Sequence, residues 1–240
     1  MKIIIIAGGR GTRISEETAD KPKPMVLING KPILWHLMNI FALQGFNDFI
    51  ISTGYKSEII EDWVLNNTIL DSNSNKMIID TVNTGIDTHT SGRISEVMNI
   101  HQGERVIATY GDGLANVSIN KLIAFHTAHQ KIATVTAVRP PARFGYLKIK
   151  NKKVTHFGEK NQSDAGWING GFFVLEPGGL NYINSINEPF EMSPLSNLTL
   201  NSELMAYEHA GFWQPMDTLR EKIDLEKFAA LEVPPWLNFN

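Results

Sequence analysis

The sequence predicts an α/β fold with a doubly wound, mostly parallel (Rossmann-like) mixed sheet and β-rich elaborations in its second half. Two observations predict it. Through the first 140 residues, short apolar strand segments alternate with helical segments at the spacing of βαβ units. Beyond that point, a hairpin and buried strands replace the alternation. No linker, repeat or low-complexity tract interrupts the 240 residues, so we expect one domain over 1–240, with 1–140 and 141–240 as its two halves.

The first half is expected to supply the parallel strands. Lys2–Ile6 is a β-branched run with apolar residues on both sides, which is typical of a strand buried on both faces. Pro32 stands where a first helical turn tolerates proline, before apolar residues at helical spacing. Ser118 is a candidate cap for a later helix that carries Ile119 and Leu122 on one face. The remaining predicted strands are 49–51, 77–81, 105–109 and 133–138, and a further helix is predicted at 58–65.

The second half is predicted to be richer in strands. Segments 145–149 and 154–157 flank the polar run 150–153, and this pattern predicts a solvated hairpin. The segment 234–236 either packs as a tail or meets another subunit. The other predicted elements are a buried strand at 170–175, a strand at 204–208 and a last helix at 218–231.

Composition excludes several classes of function. The chain has 22 Lys and Arg against 25 Asp and Glu, a formal charge of −3, so we expect no nucleic-acid polymer as ligand. It has no cysteine, which excludes disulfides, a thiolate nucleophile and Cys-ligated zinc. Its longest apolar stretch at the N-terminus, residues 3–7, is far shorter than a membrane span or a signal-peptide core. We therefore expect a cytoplasmic protein that does not enter a membrane.

A glycine-rich loop follows the first strand. Gly8, Gly9 and Gly11 would let backbone N–H groups approach a phosphate closely. The loop lacks the Gly-Lys-Ser/Thr of a Walker motif and the third glycine of a dinucleotide fingerprint. The glycines alone fit a tight turn equally well. Arg13 favours a phosphate site, because a guanidinium can bind a phosphate through two hydrogen bonds.

Lys23 stands between two prolines in the run Asp20-Lys21-Pro22-Lys23-Pro24-Met25. The prolines exclude a regular helix there and impose a stiff, extended path. The segment is either a solvated basic loop or a rigid support that holds Lys23 over phosphates. Combined with the glycine loop, the second interpretation becomes specific.

With these motifs, the chain resembles the sugar-1-phosphate nucleotidyltransferases, and in particular their glucose-1-phosphate cytidylyltransferase branch. The resemblance runs from residue 1 to about residue 231. The family signature consists of Gly8-Gly9-Arg10-Gly11-Thr12-Arg13, Lys23-Pro24-Met25 and Gly30-Lys31-Pro32-Ile33. The branch is indicated by Thr109-Tyr110-Gly111-Asp112-Gly113, Arg143-Phe144-Gly145, Ile168-Asn169-Gly170-Gly171-Phe172-Phe173 and Gly211-Phe212-Trp213-Gln214-Pro215-Met216-Asp217-Thr218.

The resemblance implies an enzyme that transfers a cytidylyl group from CTP to glucose 1-phosphate, giving CDP-glucose and pyrophosphate. The sugar phosphate would attack the α-phosphorus in line, so no enzyme nucleophile is needed, and Mg²⁺ would be the cofactor. Asp112 and Asp217 are the implied metal ligands. By itself, Asp112 also fits a Gly-Asp-Gly turn and Asp217 fits a helix N-cap. The resemblance further implies a homo-oligomer that supplies a deoxysugar pathway for surface polysaccharide.

The same resemblance distributes the remaining site residues. Arg13, Lys23 and Asp112 are the implied catalytic residues. The implied nucleotide-binding residues, in the first half, are Gly8, Gly9, Gly11, Thr12, Arg13, Lys23, Gly92 and Asp112, and Gly92-Arg93 lies where the family contacts the base. The implied sugar-phosphate-binding residues, in the second half, are Gly145, Glu159, Lys160, Asn169 and Gly170.

Two departures from the branch concern the base and the assembly. The stretch from Trp63 to Gly92 is shorter than is typical, and Asn83 stands where the branch usually has an aspartate. The alternatives are therefore another sugar or polyol phosphate, another nucleotide such as UTP or dTTP, or an inactive domain that binds a nucleotide sugar for regulation. A further pair, His126 and His129, is predicted to lie on a partly exposed helix face rather than to bind a metal.

Overall fold

The computed structural model describes residues 1–101, 103–141, 146–158 and 166–239. Its helices are α1 (Ser15–Thr18), α2 (Ile33–Ala42), α3 (Ser57–Leu65), α4 (Thr90–Ile100), α5 (Ile119–His129), α6 (Ser193–Leu200) and α7 (Leu219–Ala229). Its strands are β1 (Lys2–Ile6), β2 (Leu27–Ile28), β3 (Lys31–Pro32), β4 (Asp48–Thr53), β5 (Ile78–Asn83), β6 (Val106–Tyr110), β7 (Gly113–Ala115), β8 (Ala133–Val138), β9 (Tyr146–Lys150), β10 (Lys153–Gly158), β11 (Ile168–Asn169), β12 (Phe173–Leu175), β13 (Leu204–His209) and β14 (Trp213–Pro215).

Eight strands form the central sheet, in the order β11-β8-β12-β6-β1-β4-β5, with β13 also paired to β8. The pairs β1–β4, β1–β6, β4–β5 and β13–β8 are parallel. The pairs β12–β6, β12–β8 and β11–β8 are antiparallel. The predicted mixed, mostly parallel sheet is therefore confirmed. Small antiparallel pairs, including the predicted β9–β10 hairpin, complete the strand structure.

The core lies on both faces of this sheet. Ile3 and Ile5 of β1 pack in one apolar cluster, and Ile4 and Ile6 pack in the other. Successive side chains of a strand point to opposite faces, so an unbroken apolar run is what a doubly covered strand requires. Among the described residues, no helix is long and apolar enough to span a membrane.

The strand predicted at 170–175 is wrong in its first half. The chain bends through Gly171 and Phe172, which have φ of +77° and +49°, and β12 begins only at Phe173. Phe172 is nevertheless buried, and its carbonyl oxygen accepts a hydrogen bond of 2.9 Å from Thr136 Oγ1. A bulky residue at positive φ is uncommon, so tertiary contacts outweigh the local strand preference here.

Helices α1, α4 and α6 have no counterpart in the sequence prediction. In α4 the buried face includes Ser91, Gly92 and Ser95, so apolar periodicity is weak. Segment 234–236 was expected either to pack as a tail or to meet another subunit, and its tail packing is observed: Trp236 is fully buried, with its ring against His36 and Phe212. The segment packs as a tail on its own subunit.

The exposed helix face predicted for the histidine pair is wrong for His126, which is 1% exposed. Its Nδ1 lies 2.8 Å from Thr134 Oγ1, and its Nε2 lies 3.2 Å from Glu176 Oε1. Burial lowers the pKa of His126, and this effect outweighs the hydrogen bond with Glu176, which raises it. A neutral imidazole in a satisfied core position is the result.

Candidate functional site

A cavity of about 800 Å³ opens at the carboxyl ends of β1 and β6. From β1 the sheet continues to β4 on one side and to β6 on the other. Helix α2 packs in the apolar cluster of one face and α4 in that of the other. The cavity therefore lies at a topological switch point, where ligands of open α/β sheets bind.

The glycine loop forms one wall of this cavity, and its three glycines have different structural surroundings. A Cβ atom at Gly8 would lie 1.9 Å from Arg93 Nη1, so this position accommodates a buried guanidinium. Gly9 lines the cavity, and a Cβ atom there would meet nothing within 4 Å. Gly11 has φ of +63°, a conformation that favours glycine, and it precedes Thr12 and Arg13 at the cavity edge.

Four charged side chains meet at the end of the loop. Lys23 Nζ donates to Asp112 Oδ2 at 2.7 Å and to Asp217 Oδ1 at 2.6 Å, and Arg13 Nη1 donates to Asp217 Oδ2 at 2.7 Å. The Lys23 side chain is only 9% exposed. Burial alone would lower the pKa of Lys23, but the two carboxylates outweigh burial and raise it. Lys23 is therefore a fixed cation. The extended path predicted for its segment is wrong at Lys23–Met25, which forms a 3₁₀ turn in which the N–H of Val26 donates to the carbonyl oxygen of Lys23 at 3.1 Å.

Local structure positions each of the two carboxylates. Asp112 follows β6 in a turn. Its backbone carbonyl oxygen accepts a hydrogen bond of 2.9 Å from the N–H of Met216. Asp217 is not the N-cap that its sequence position also allowed. Thr218 caps α7 in a capping box with Glu221, and Glu221 Oε2 accepts the N–H of Asp217 at 2.8 Å. The Asp217 carboxylate is consequently free to face the cavity.

The two carboxylates fit a magnesium ion. They converge on one ammonium group at a cavity edge, and Mg²⁺ prefers one or two carboxylates together with phosphate oxygens and water. In the described part of the chain, no group of three or more Asp, Glu, His or Cys side chains could enclose a metal. A site of this kind needs a phosphate ligand to complete the coordination of the ion.

Arg93 lies under the glycine loop and reaches the cavity from α4. Its guanidinium donates to the carbonyl oxygens of Thr53 (2.7 Å) and Gly8 (3.0 Å) and to Thr84 Oγ1 (2.6 Å). Burial lowers the pKa of Arg93 from its usual high value. The neighbouring Gly92, predicted to bind the nucleotide, does not line the cavity. A Cβ there would lie 2.5 Å from Thr88 Cγ2 and 2.8 Å from the carbonyl oxygen of Ile186. Close helix packing is the structural reason for that glycine.

The far wall contains residues that the sequence analysis missed. Asn169, predicted for the sugar phosphate, lines the cavity and donates from Nδ2 to the Tyr110 hydroxyl at 3.1 Å. That hydroxyl donates to Glu191 Oε1, and Thr90 Oγ1 donates to Glu191 Oε2 at 2.9 Å. Tyr110 adjoins the Gly-Asp-Gly segment, which could have drawn attention to it. Glu191 lies in a loop with no periodic signal.

The remaining residues predicted to bind the sugar phosphate are either packed in the protein or lie outside the described residues. Gly170 is packed against Val138, because a Cβ atom at this glycine would lie 2.5 Å from Val138 Cγ1. The carbonyl oxygen of Gly170 accepts a hydrogen bond of 2.9 Å from Trp213 Nε1. The predicted Gly145, Glu159 and Lys160 lie outside the described residues. At the cavity mouth, Arg10 and Asp87, to which the sequence analysis gave no role, form an ion pair of 2.8 Å between the glycine loop and the loop before α4.

Comparison with known proteins identifies the family of the chain. The nucleotidyl transferase family model matches residues 2–214. A glucose-1-phosphate cytidylyltransferase from Salmonella typhimurium is 45% identical and covers 98% of each chain. A D-glycero-alpha-D-manno-heptose 1-phosphate guanylyltransferase from Aneurinibacillus thermoaerophilus is 30% identical, over 72% of this chain and 74% of its own.

A solved structure of HddC from Yersinia pseudotuberculosis, complexed with GMP-PN, has the same fold. It superposes with a TM-score of 0.72 at 24% identity and covers 94% of this chain and 98% of its own. The family model matches most of the chain, and the Salmonella relative is 45% identical over 98% of it. The chain belongs to the nucleotidyl transferase family.

Proposed function

We propose that the protein transfers a cytidylyl group from CTP to glucose 1-phosphate and releases CDP-glucose and pyrophosphate. The observation that carries the chemistry is the Arg13–Asp217–Lys23–Asp112 cluster at the end of the glycine loop. It places two cations and two carboxylates beside a cavity at the switch point. The choice of substrates is supported by the 45% identity to the Salmonella cytidylyltransferase over nearly the full chain.

In the proposed reaction, an oxygen of the sugar phosphate attacks the α-phosphorus of CTP while the bond to the β-phosphate breaks and pyrophosphate leaves. Catalysis of such a transfer is mostly positioning and charge stabilisation. Arg13 and Lys23 would bind the triphosphate and neutralise the charge that develops at the α-phosphate. Both now hold carboxylates, so binding of the triphosphate would exchange one set of anionic partners for another.

Magnesium is the proposed cofactor. Asp112 and Asp217 would hold it, since their carboxylates already converge on a single cation, Lys23 Nζ. The bound ion would supply a positive charge that offsets the phosphates of CTP. Asp112 remains a proposed catalytic residue in this scheme because it would act through the ion.

The two substrates are proposed to lie on opposite sides of this cluster. The nucleotide would lie on the backbone around Gly9, Gly11 and Thr12, with Gly8 and Gly92 acting through their packing and Arg93 near the base. The sugar phosphate would lie on the side of Asn169, with Gly170 behind it. The proposed sugar contacts outside the described residues are Gly145, Glu159 and Lys160.

Two further assignments remain proposals. We expect the enzyme to work in the cytoplasm, where nucleoside triphosphates and sugar phosphates are available, and to supply surface polysaccharide synthesis. We also expect a homo-oligomer, which analytical ultracentrifugation would test directly through the mass of the particle.

The proposed function is tested by pyrophosphate release in a panel of nucleotides and sugar phosphates. CTP, UTP, dTTP and GTP would each be paired with glucose, mannose and heptose 1-phosphates, with and without Mg²⁺. GTP and heptose 1-phosphate belong in the panel because one relative is a heptose 1-phosphate guanylyltransferase. We expect the highest kcat/KM for CTP with glucose 1-phosphate. A higher value for another pair would replace this substrate assignment, and no release with any pair would refute the function.

A further inference from the structure

A carboxylate on the far wall of the cavity has no role in the proposed chemistry. Glu191 lies in the loop before α6, and its two oxygens face different elements. Oε1 accepts from the hydroxyl of Tyr110 at the end of β6, and Oε2 accepts from Thr90 Oγ1 at the start of α4. All three residues line the same cavity. Glu191 therefore joins the wall that carries Asn169 to the wall formed by α4.

The direction of each hydrogen bond on this wall is determined. The Tyr110 hydroxyl accepts from Asn169 Nδ2, so its single proton is available for Glu191. The Asn169 amide is itself oriented, because its Oδ1 accepts from the N–H of Gly171 at 2.9 Å. Thr90 Oγ1 accepts from the N–H of Phe190 at 2.7 Å and gives its proton to Glu191.

This arrangement leaves acceptor capacity facing the cavity. A carboxylate has roughly four lone-pair sites, and the described residues use one on each oxygen of Glu191. Burial, followed by the charge of Glu191, raises the pKa of Tyr110, so the phenol keeps the proton that it donates. Glu191 thus lines the cavity with both carboxylate oxygens oriented by hydroxyl groups, one by Tyr110 and one by Thr90, and each oxygen can accept a further hydrogen bond.

The charge and geometry of this group select its ligand. A phosphate would be repelled by the Glu191 carboxylate, whereas hydroxyl groups can donate to it. Two adjacent hydroxyls match the two oxygens of one carboxylate. We propose that Glu191 is a specificity-determining residue that accepts hydrogen bonds from a vicinal diol of a substrate. This inference rests on the proposed function, in which the ribose of the nucleotide and the hexose of the sugar phosphate each carry such a diol.

The test measures kcat/KM of the purified full chain with substrates that lack single hydroxyls. One arm compares CTP with 2′-deoxy-CTP and 3′-deoxy-CTP. The other arm compares glucose 1-phosphate with its 2-deoxy, 3-deoxy and 4-deoxy analogues. The wild-type protein should discriminate against the deoxy substrates of one arm by about 10- to 100-fold, the effect of a hydrogen bond to a charged group. The arm that shows the effect identifies which diol Glu191 binds.

In Glu191→Gln and Glu191→Asp, kcat/KM for the parent substrate, which carries all its hydroxyl groups, should fall to the value for the matching deoxy substrate. The value for the deoxy substrate should stay at its wild-type level. The discrimination ratio should then fall to within about threefold of one. The matched control is Glu188→Gln, which removes the same charge from the same loop. Glu188 does not line the cavity, and its Oε2 accepts a hydrogen bond of 2.5 Å from Ser193 Oγ. That variant should keep the wild-type ratio. Thermal unfolding of each variant checks that the fold is retained.

Three results would overturn the assignment of Glu191: no discrimination by the wild-type protein in either arm, unchanged discrimination in both Glu191 variants, or an equal loss on parent and deoxy substrates. The last would indicate a structural role for the carboxylate. The proposed function is judged separately, because it fails only if the wild-type protein releases no pyrophosphate from CTP and glucose 1-phosphate.

Discussion

Replacing Lys23 with methionine removes one cation from the centre of the candidate site and keeps nearly the same side-chain length. Lys23 Nζ lies 2.7 Å from Asp112 Oδ2 and 2.6 Å from Asp217 Oδ1, and its side chain is 9% exposed. It is therefore a preorganised donor in a largely water-excluded position. One such donor is worth about 3–4 kcal/mol of transition-state stabilisation. At about 1.4 kcal/mol for each factor of ten, kcat/KM should fall by roughly 10²- to 10³-fold.

The assay is steady-state pyrophosphate release with CTP, glucose 1-phosphate and saturating Mg²⁺. Lys21→Met is the matched control, because Lys21 belongs to the same loop and its ion pair is a 3.7 Å contact with the exposed Asp20. That variant should keep kcat/KM within about a factor of two, as a surface ion pair contributes little. Circular dichroism at the assay temperature verifies that both variants are folded. A folded Lys23→Met protein with kcat/KM within threefold of wild type would refute the reasoning.

Three further predictions follow from the geometry. Asp217→Asn should lower kcat/KM by roughly two orders of magnitude and raise the Mg²⁺ concentration needed for half-maximal rate; an unchanged magnesium dependence would remove Asp217 from the metal site. Gly8→Ala should cost about 1–3 kcal/mol in a denaturant titration, because the new Cβ would lie 1.9 Å from Arg93 Nη1. Gly9→Ala, which meets nothing within 4 Å, should be neutral, and equal effects of the two would contradict this packing. The folded-state pKa of His126 is lowered, so its stability contribution is complete above the unfolded pKa of about 6.5 and decreases as pH falls below it. His126→Gln should therefore lose less Tm than wild type between pH 7.5 and 5.5, and parallel pH profiles would show that His126 does not titrate on unfolding.

The parts of the fold that local pattern determines were predictable. The unbroken apolar run of residues 3–6 has one stable environment, between two covered faces of the sheet, and the structure places it there. The start of α5 was predictable because the Ser118 side chain accepts the N–H of Lys121. The final helix was predicted one residue too early and two residues too late at its ends, since a capping Thr218 differs from a helical residue only in its backbone angles.

The parts that depend on distant contacts were not predictable. The positive φ of Phe172 is maintained by Thr136, 36 residues earlier in the chain. The contact between Tyr110 and Glu191 joins residues that are 81 positions apart in the chain. Neither residue lies in an amphipathic segment whose pattern would predict this contact. The cluster around Lys23 could be expected only from the resemblance to a known family, because residues 23, 112 and 217 are far apart in the chain. A wall built from isolated side chains has no comparable signature.

The strand order has a consequence for synthesis of the chain. Strand β8 belongs to the first 140 residues, yet its partners among the described strands are β11, β12 and β13, which are all made later. Likewise, β6 has one open edge until Phe173–Leu175 has left the ribosome. A nascent chain that ends near residue 140 would expose one unpaired apolar strand and the edge of another, which are templates for aggregation. Productive folding of the sheet is thus tied to the last third of translation.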